Sequence, residues 1–345
     1  MAAALVIAAA SLTGCAGPAE TPAASPSPGV SGSPATPEFR NTPTVPAALP
    51  EPGSATAATA AAGSAAWGGL AAVAGPDARL VLLGDSFASG EGGGGYLPVD
   101  GVPQSLCHRS AYPLLAAYYP PERTFNLACS RARIEHLRQA QRVDDAHPNG
   151  VAAQLEQLGG LRASLVLVSL GGNDIDFSRL LQACLLEETD CNRDGELAAG
   201  TGALLAATEK SLEQAYRDIG SAVTAPVLVL PYPQLFDAPA AASCGPLSPD
   251  EQRYGRRLVT ELNAGIRRAV AAADRPNVHY VAPLESALDG RGACSTDPLV
   301  HSARLPGLAA AAASVPQSLE LLHPTRAGYA AMTAALAGWL ETAQL

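Results

Sequence analysis

A three-layer α/β/α sandwich on a mostly parallel sheet is the fold class predicted by three observations. First, short apolar or β-branched runs, Leu80-Val-Leu-Leu83, Ser164-Leu-Val-Leu-Val-Ser-Leu170, Val227-Leu-Val-Leu230 and Val278-His-Tyr-Val281, each stop at glycine, alanine or proline. The first two, bounded by glycine, read as strands buried on both faces, and the last two as short β-branched strands ended by proline. Second, the later runs are separated by stretches with an apolar residue every three or four positions: Leu212, Tyr216, Ile219 and Val223, then Leu258, Leu262, Ile266 and Val270. That spacing places them on one face of a helix. Third, strands alternating with helices pair in parallel and are covered on both sides, as in flavodoxin-like sandwiches. No internal repeat is present.

In chain order, the first element is an apolar, alanine-rich segment from Met1 to Gly14, ending in Leu12-Thr13-Gly14-Cys15. It resembles the lipobox of bacterial lipoproteins. On that likeness residues 1–14 form a cleaved export signal, and Cys15 is lipidated and anchors the chain to a membrane. The usual Lys/Arg region before the apolar run is missing, and the segment is too short to span a bilayer. Residues 15–75 are rich in Ala, Pro, Ser, Thr and Gly and hold ten of the 29 prolines. With few large apolar side chains to offset the entropy of ordering, they are expected to be a disordered tether. At ~5–6 Å × √n, sixty such residues average roughly 40–45 Å end to end. Residues 76–345 are long enough for a single α/β domain with a substantial core.

The first strand hands its chain to Gly84-Asp85-Ser86 and then to a glycine-rich loop, Gly90-Glu-Gly-Gly-Gly-Gly95. In open parallel sheets ligands sit beyond the carboxyl ends of the strands, so Ser86 is a candidate nucleophile. The second strand runs into Gly171-Gly172-Asn173-Asp174, which brings a side-chain amide to the same kind of position. Further on, Ser248-Pro-Asp-Glu251 is a capping box with proline at the first helical position, so a helix opens there. Near the end, Leu321-Leu-His323-Pro-Thr325 sets an imidazole just before a C-terminal helix. An unassisted serine hydroxyl is a poor nucleophile. It needs a base within hydrogen-bond reach and donors aimed at the oxyanion it creates.

These blocks, with Asn126-Leu-Ala-Cys-Ser130 between them, resemble the SGNH hydrolases, also called the GDSL esterases and lipases. The Gly90-Glu-Gly92 extension, Cys107-His-Arg-Ser110 and Asn126-Leu-Ala-Cys129 are most similar to the secreted actinobacterial branch. The resemblance covers roughly Arg79 to Leu345 and implies the SGNH hydrolase fold, a serine nucleophile at Ser86 and a histidine base at His323. It implies an acid three residues before the base, here Glu320 where aspartate is commoner, unless a backbone carbonyl takes that role. It implies an oxyanion hole from the Ser86 N–H, a backbone N–H in the second block and the Asn173 side chain. In that second block Arg131 stands where relatives carry glycine. The main-chain N–H survives the replacement, while the side chain either narrows the pocket, meets an anionic substrate group or points to solvent.

Seven cysteines less Cys15 leave six, an even number that favours disulfides in an exported chain. The secreted relatives suggest sequential pairing, Cys107–Cys129, Cys184–Cys191 and Cys244–Cys294. The remaining candidates have duller readings. Asp85 and Glu91 are expected to shape the loop around Ser86. Asp174 and Asp176 lack histidines at metal spacing, the cysteines form no zinc pattern, and Gly92–Gly95 is not followed by the Gly-Lys-Ser/Thr of a phosphate loop. No metal or other cofactor is implied. The net charge is −10, of which residues 1–75 contribute −2, so a nucleic-acid partner is not expected. The expectation is a monomeric, exported carboxylic ester hydrolase acting through an acyl-enzyme on lipid or acylated-glycan esters. A noncatalytic glycan- or lipid-binding module on the same fold is the alternative.

Overall fold

The computed structural model describes residues 69–102, 105–143, 150–177, 180, 195–242, 244–245, 247–302 and 320–343. The chain divides into two units, Met1–Ala62 and Gly63–Leu345, and the described residues all belong to the second. The lipobox-like segment with Cys15, most of the tether, and Cys184 and Cys191 lie outside the described residues.

Five strands form one parallel sheet: β1 (Leu80–Gly84), β2 (Thr124–Asn126), β3 (Leu165–Ser169), β4 (Val227–Val229) and β5 (Val278–Tyr280). Their order is β2-β1-β3-β4-β5. After β1 the chain moves to one side for β2 and returns to the other side for β3. The crevice between the carboxyl ends of β1 and β3 is therefore the topological switch point, where open α/β sheets bind ligands.

Side chains alternate across the sheet as the two-residue period requires. Leu80, Leu82, Leu165, Leu167 and Leu228 enter one core cluster, and Val81, Leu83, Val166, Val168, Val227 and Val229 enter the other. The first cluster is closed by α1 (Leu70–Val73) and α6 (Arg326–Leu340), through Leu70, Val73, Tyr329, Met332, Leu336 and Leu340. The second is closed by α3 (Gln154–Gly159), α4 (Gly195–Ala222) and α5 (Pro249–Ala273). Leu158 of α3, Leu212, Tyr216 and Ile219 of α4, and Leu262 and Ile266 of α5 are buried there, with Val223 and Val270 half-buried at its edge. Apolar packing thus reaches Leu70, a few residues upstream of 76.

Local chemistry fixes the helix starts. Ser248 Oγ accepts from the Glu251 N–H at 3.2 Å, and the Glu251 carboxylate accepts from the Ser248 N–H at 2.8 Å. Thr325 caps α6 by accepting from the Gly328 N–H at 3.1 Å. Each satisfies amide donors that the first helical turn leaves unpaired. Two disulfides, Cys107–Cys129 and Cys244–Cys294, join the loops at the carboxyl edge of the sheet. Among the described residues, no helix is long and apolar enough to cross a membrane.

Candidate active site

The turn that presents Ser86 depends on a close approach of two strands. Gly84 has φ +121°, and a Cβ there would run into the Ser169 carbonyl oxygen. Only glycine lets β1 and β3 meet this tightly at their ends. The Asp85 N–H then donates to that same oxygen at 2.9 Å. Ser86 opens the one-turn helix α2 (Ser86–Ser89), whose cap is Asp85, with Gly90 in the left-handed region at the other end. Ser86 is the first helical residue, so the helix itself leaves its N–H unclaimed.

His323 arrives from the opposite end of the domain sequence. Leu322 is held at φ +61°, the His301 N–H donates to the His323 carbonyl at 2.8 Å, and the cap of α6 follows at Thr325. This places His323 Nε2 2.7 Å from Ser86 Oγ, across 237 residues of chain. The imidazole packs at a tilt against the Phe87 ring, with centroids 5.1 Å apart.

Asn173 follows β3, and its Nδ2 donates to the Ala132 carbonyl at 3.0 Å. The segment that follows Asn126–Ser130 therefore lies against the Gly171–Asp174 turn at the residue next to Arg131. Around Arg131 the Ser130 N–H donates to the Cys107 carbonyl and the Ala132 N–H to the Cys129 carbonyl, both at 3.0 Å. Arg131 itself has φ +63° and an exposed side chain. The left-handed backbone that suits glycine is thus retained with an arginine in it.

The expected contact between Glu320 and His323 is not made. The Glu320 carboxylate accepts from the Tyr96 hydroxyl, and His323 Nδ1 has no hydrogen-bond partner among the described residues. The cause is local: the His323 N–H closes a tight turn onto the Glu320 carbonyl at 2.9 Å, while the Glu320 side chain extends to the glycine-rich rim. Asp174 and Asp176 have structural partners. Asp174 accepts from the Ile134 N–H at 3.2 and 3.3 Å, and Asp176 pairs with Arg133 at 2.6 Å. Burial pushes the Asp174 carboxyl up to about 6. Among the described residues no cluster of His, Cys, Asp or Glu is arranged to hold a metal ion.

Asp85 and Glu91, loop-shaping residues by the sequence, both carry specific side-chain partners beside the site. Burial pushes the Asp85 carboxyl up to about 7, against hydrogen bonds from Tyr232 and the Phe87 N–H that favour ionisation. The Tyr232 hydroxyl donates to Asp85 and accepts from the Gly172 N–H at 2.9 Å. Tyr232 thereby ties the serine turn to the Asn173 turn, and its place in Pro231-Tyr232-Pro233, just after β4, was the available signal. Glu91 is only 1% exposed and is held by His108 and Ser130. Burial opposes its ionisation, but the His323 imidazole and those two hydrogen bonds outweigh it and hold the carboxyl below its usual range.

A buried glycine-tight serine turn, an imidazole in contact with it and an amide turn beside them can support acyl transfer. The sequence profile of the GDSL-like lipase/acylhydrolase family matches residues 82–331. The chain belongs to that family. It is a GDSL-type carboxylic ester hydrolase, and the match spans all the blocks just described. Lipase 1 of Streptomyces coelicolor is 28% identical over 278 residues, covering 78% of this chain and 90% of that protein. A lipase of Streptomyces rimosus is 30% identical over 252 residues, 70% of this chain and 84% of its own. The crystal structure of the extracellular lipase from Streptomyces rimosus matches with a TM-score of 0.57 at 25% identity, covering 76% of this GDSL chain and 99% of that one. Phospholipase A1 from Streptomyces albidoflavus shares the fold, with a TM-score of 0.56 at 24% identity over 76% of this chain and 98% of its own.

Proposed function

We propose that this hydrolase is exported and cleaves carboxylic esters of lipids or acylated glycans through an acyl-enzyme on Ser86. His323 takes the serine proton as base and returns it, as acid, to the leaving alcohol. The oxyanion is received by the N–H groups of Ser86 and Arg131 and by the Asn173 amide. The observation that carries this reading is the 2.7 Å separation of His323 Nε2 from Ser86 Oγ at the β1/β3 switch point. Lipid esters are favoured over glycan acetates because the relatives found by sequence are named lipases. Export is supported by the two disulfides and by the extracellular origin of the Streptomyces rimosus enzyme. Lipidation at Cys15 would make the product a surface-anchored lipoprotein rather than a free enzyme.

The test is a panel of nitrophenyl esters of increasing acyl length, run beside phospholipid and acetylated xylan, with Ser86→Ala as control. Hydrolysis that rises with acyl length and disappears in Ser86→Ala is expected. Preference for acetyl esters would move the substrate class to glycans, and full turnover by Ser86→Ala would overturn the mechanism.

A further inference from the structure

Glu91 is the group near the site whose position a loop-holding role does not explain. Its Oε2 lies 4.0 Å from His323 Nε2, on the side of the ring that faces Ser86. Both carboxylate oxygens are engaged, Oε1 by His108 Nδ1 at 3.1 Å and Oε2 by the Ser130 hydroxyl. The backbone is fixed as well. The Glu91 N–H donates to the Ser86 carbonyl at 3.0 Å, and the Tyr329 hydroxyl donates to the Glu91 carbonyl at 2.9 Å. Burying an ionised carboxylate is costly unless donors surround it, and a neutral amide would hold the loop without that cost.

We infer that Glu91 is a positioning residue for the base: a caged carboxylate that steadies the His323 imidazolium from the Nε2 side, with the Cys107–Cys129 disulfide locking the cage. The inference rests on the serine mechanism proposed above. When Ser86 Oγ bonds to the acyl carbon, its proton passes to His323 Nε2 and the carbonyl electron pair moves onto oxygen. When the tetrahedral adduct collapses, that proton leaves with the alcohol. The positive charge exists between these steps and again in deacylation, when His323 takes a proton from the attacking water and returns it to Ser86 Oγ, and an opposite charge about 4 Å away favours it both times. On the other side of the ring, Nδ1 has no partner among the described residues, because Glu320 is turned to Tyr96. The disulfide enters because Cys107 adjoins His108 and Cys129 adjoins Ser130, so one covalent link pins both donors to Glu91.

The other titratable groups around the pair are accounted for. His301 Nε2–H donates to the Gly92 carbonyl at 2.9 Å, Tyr96 stacks on His108 with centroids 4.6 Å apart while donating to Glu320, Tyr329 approaches from α6, and Asp85 caps α2 with its carboxyl bound to Tyr232. Of the carboxylates, Glu91 is the one at ion-pair distance from the imidazole among the described residues.

Glu91→Gln keeps the size and removes the charge. In the full chain, kcat is expected to fall ~10- to 100-fold with KM within about twofold, and the acid limb of the kcat/KM profile to move about one pH unit or more downward. A folded Glu91→Gln enzyme with the wild-type profile, or one that loses kcat with no movement of the limb, would overturn the inference. Should that variant lack a cooperative melt, the Cys107→Ser/Cys129→Ser double variant is read instead. It is expected to shift the limb in the same direction by less, and a folded double variant with wild-type kcat and profile would overturn the lock. Turnover by Ser86→Ala would instead sink the serine mechanism, so the two failures are distinguishable.

Discussion

Asn173 carries two amide hydrogens, and one goes to the Ala132 carbonyl at 3.0 Å. In the mechanism proposed above the other serves the oxyanion formed at Ser86, and the first bond restricts the direction in which it points. Asn173→Ala is expected to lower kcat by ~10²–10³, equal to ~2.7–4 kcal/mol, with little change in melting temperature. Steady-state turnover of a nitrophenyl ester beside a thermal melt measures both, and wild-type kcat would remove Asn173 from the mechanism. Arg131 has a similarly local reading. A left-handed non-glycine residue costs roughly 1–2 kcal/mol, and at φ +63° Arg131 bears that strain while its side chain lies exposed. In the sequence, the glycine that Arg131 replaces could serve either a positive φ or a close approach of substrate. The backbone supplies the reason that glycine is the natural residue there.

At the scale of elements, the serine turn, the asparagine turn and the start of the loop after β4 are joined by Asp85 and Tyr232. Asp85 is ordinarily ionised above pH 3.8 and here is raised to about 7 by burial. Between those values the folded protein keeps a proton that the unfolded chain releases, so stability falls as pH rises through the window and levels off above it. A shift of that size corresponds to roughly 4 kcal/mol at most. Asp85→Asn retains the capping oxygen and is expected to flatten the fall in melting temperature between pH 4 and 8. A smaller slope up to about 6 remains from Asp174. An unchanged slope in Asp85→Asn melts would contradict the buried-acid reading. Elements were legible to different degrees for physical reasons. The strands at Leu80, Leu165 and Val227 are buried on both faces, so their apolar runs announce them, the edge strand at Val278 shows itself by its β-branched run although His279 and Tyr280 are only half-buried, and the helix at Pro249 carries its own capping box. The other edge strand, Thr124–Asn126, is three half-buried residues long and has no such run. Ser86, Asn173 and His323 stood out because each sits at an element boundary with distinctive neighbours. The Glu91 partners did not, because His108 and Ser130 reach it from 17 and 39 residues away and no local pattern encodes that. Glu320 misled because spacing along the chain does not specify which way a side chain turns.

For the whole molecule, the sheet order does the assembling. Because β1 and β3 are neighbours while β2 lies on the far side of β1, the loops after β1 and β3 open onto one crevice, and α6 returns along the first core face to bring His323 over Ser86. Every residue of the proposed machinery lies between Ser86 and His323, within the family match at 82–331. A fluorophosphonate tests this convergence most directly, since it phosphonylates a serine Oγ with loss of fluoride only where a base and an oxyanion site already surround that oxygen. Peptide mass spectrometry of the labelled full chain is expected to place one adduct on Ser86, with none in Ser86→Ala and much slower labelling in His323→Ala. An adduct on another serine, or equal labelling of Ser86→Ala, would contradict the account.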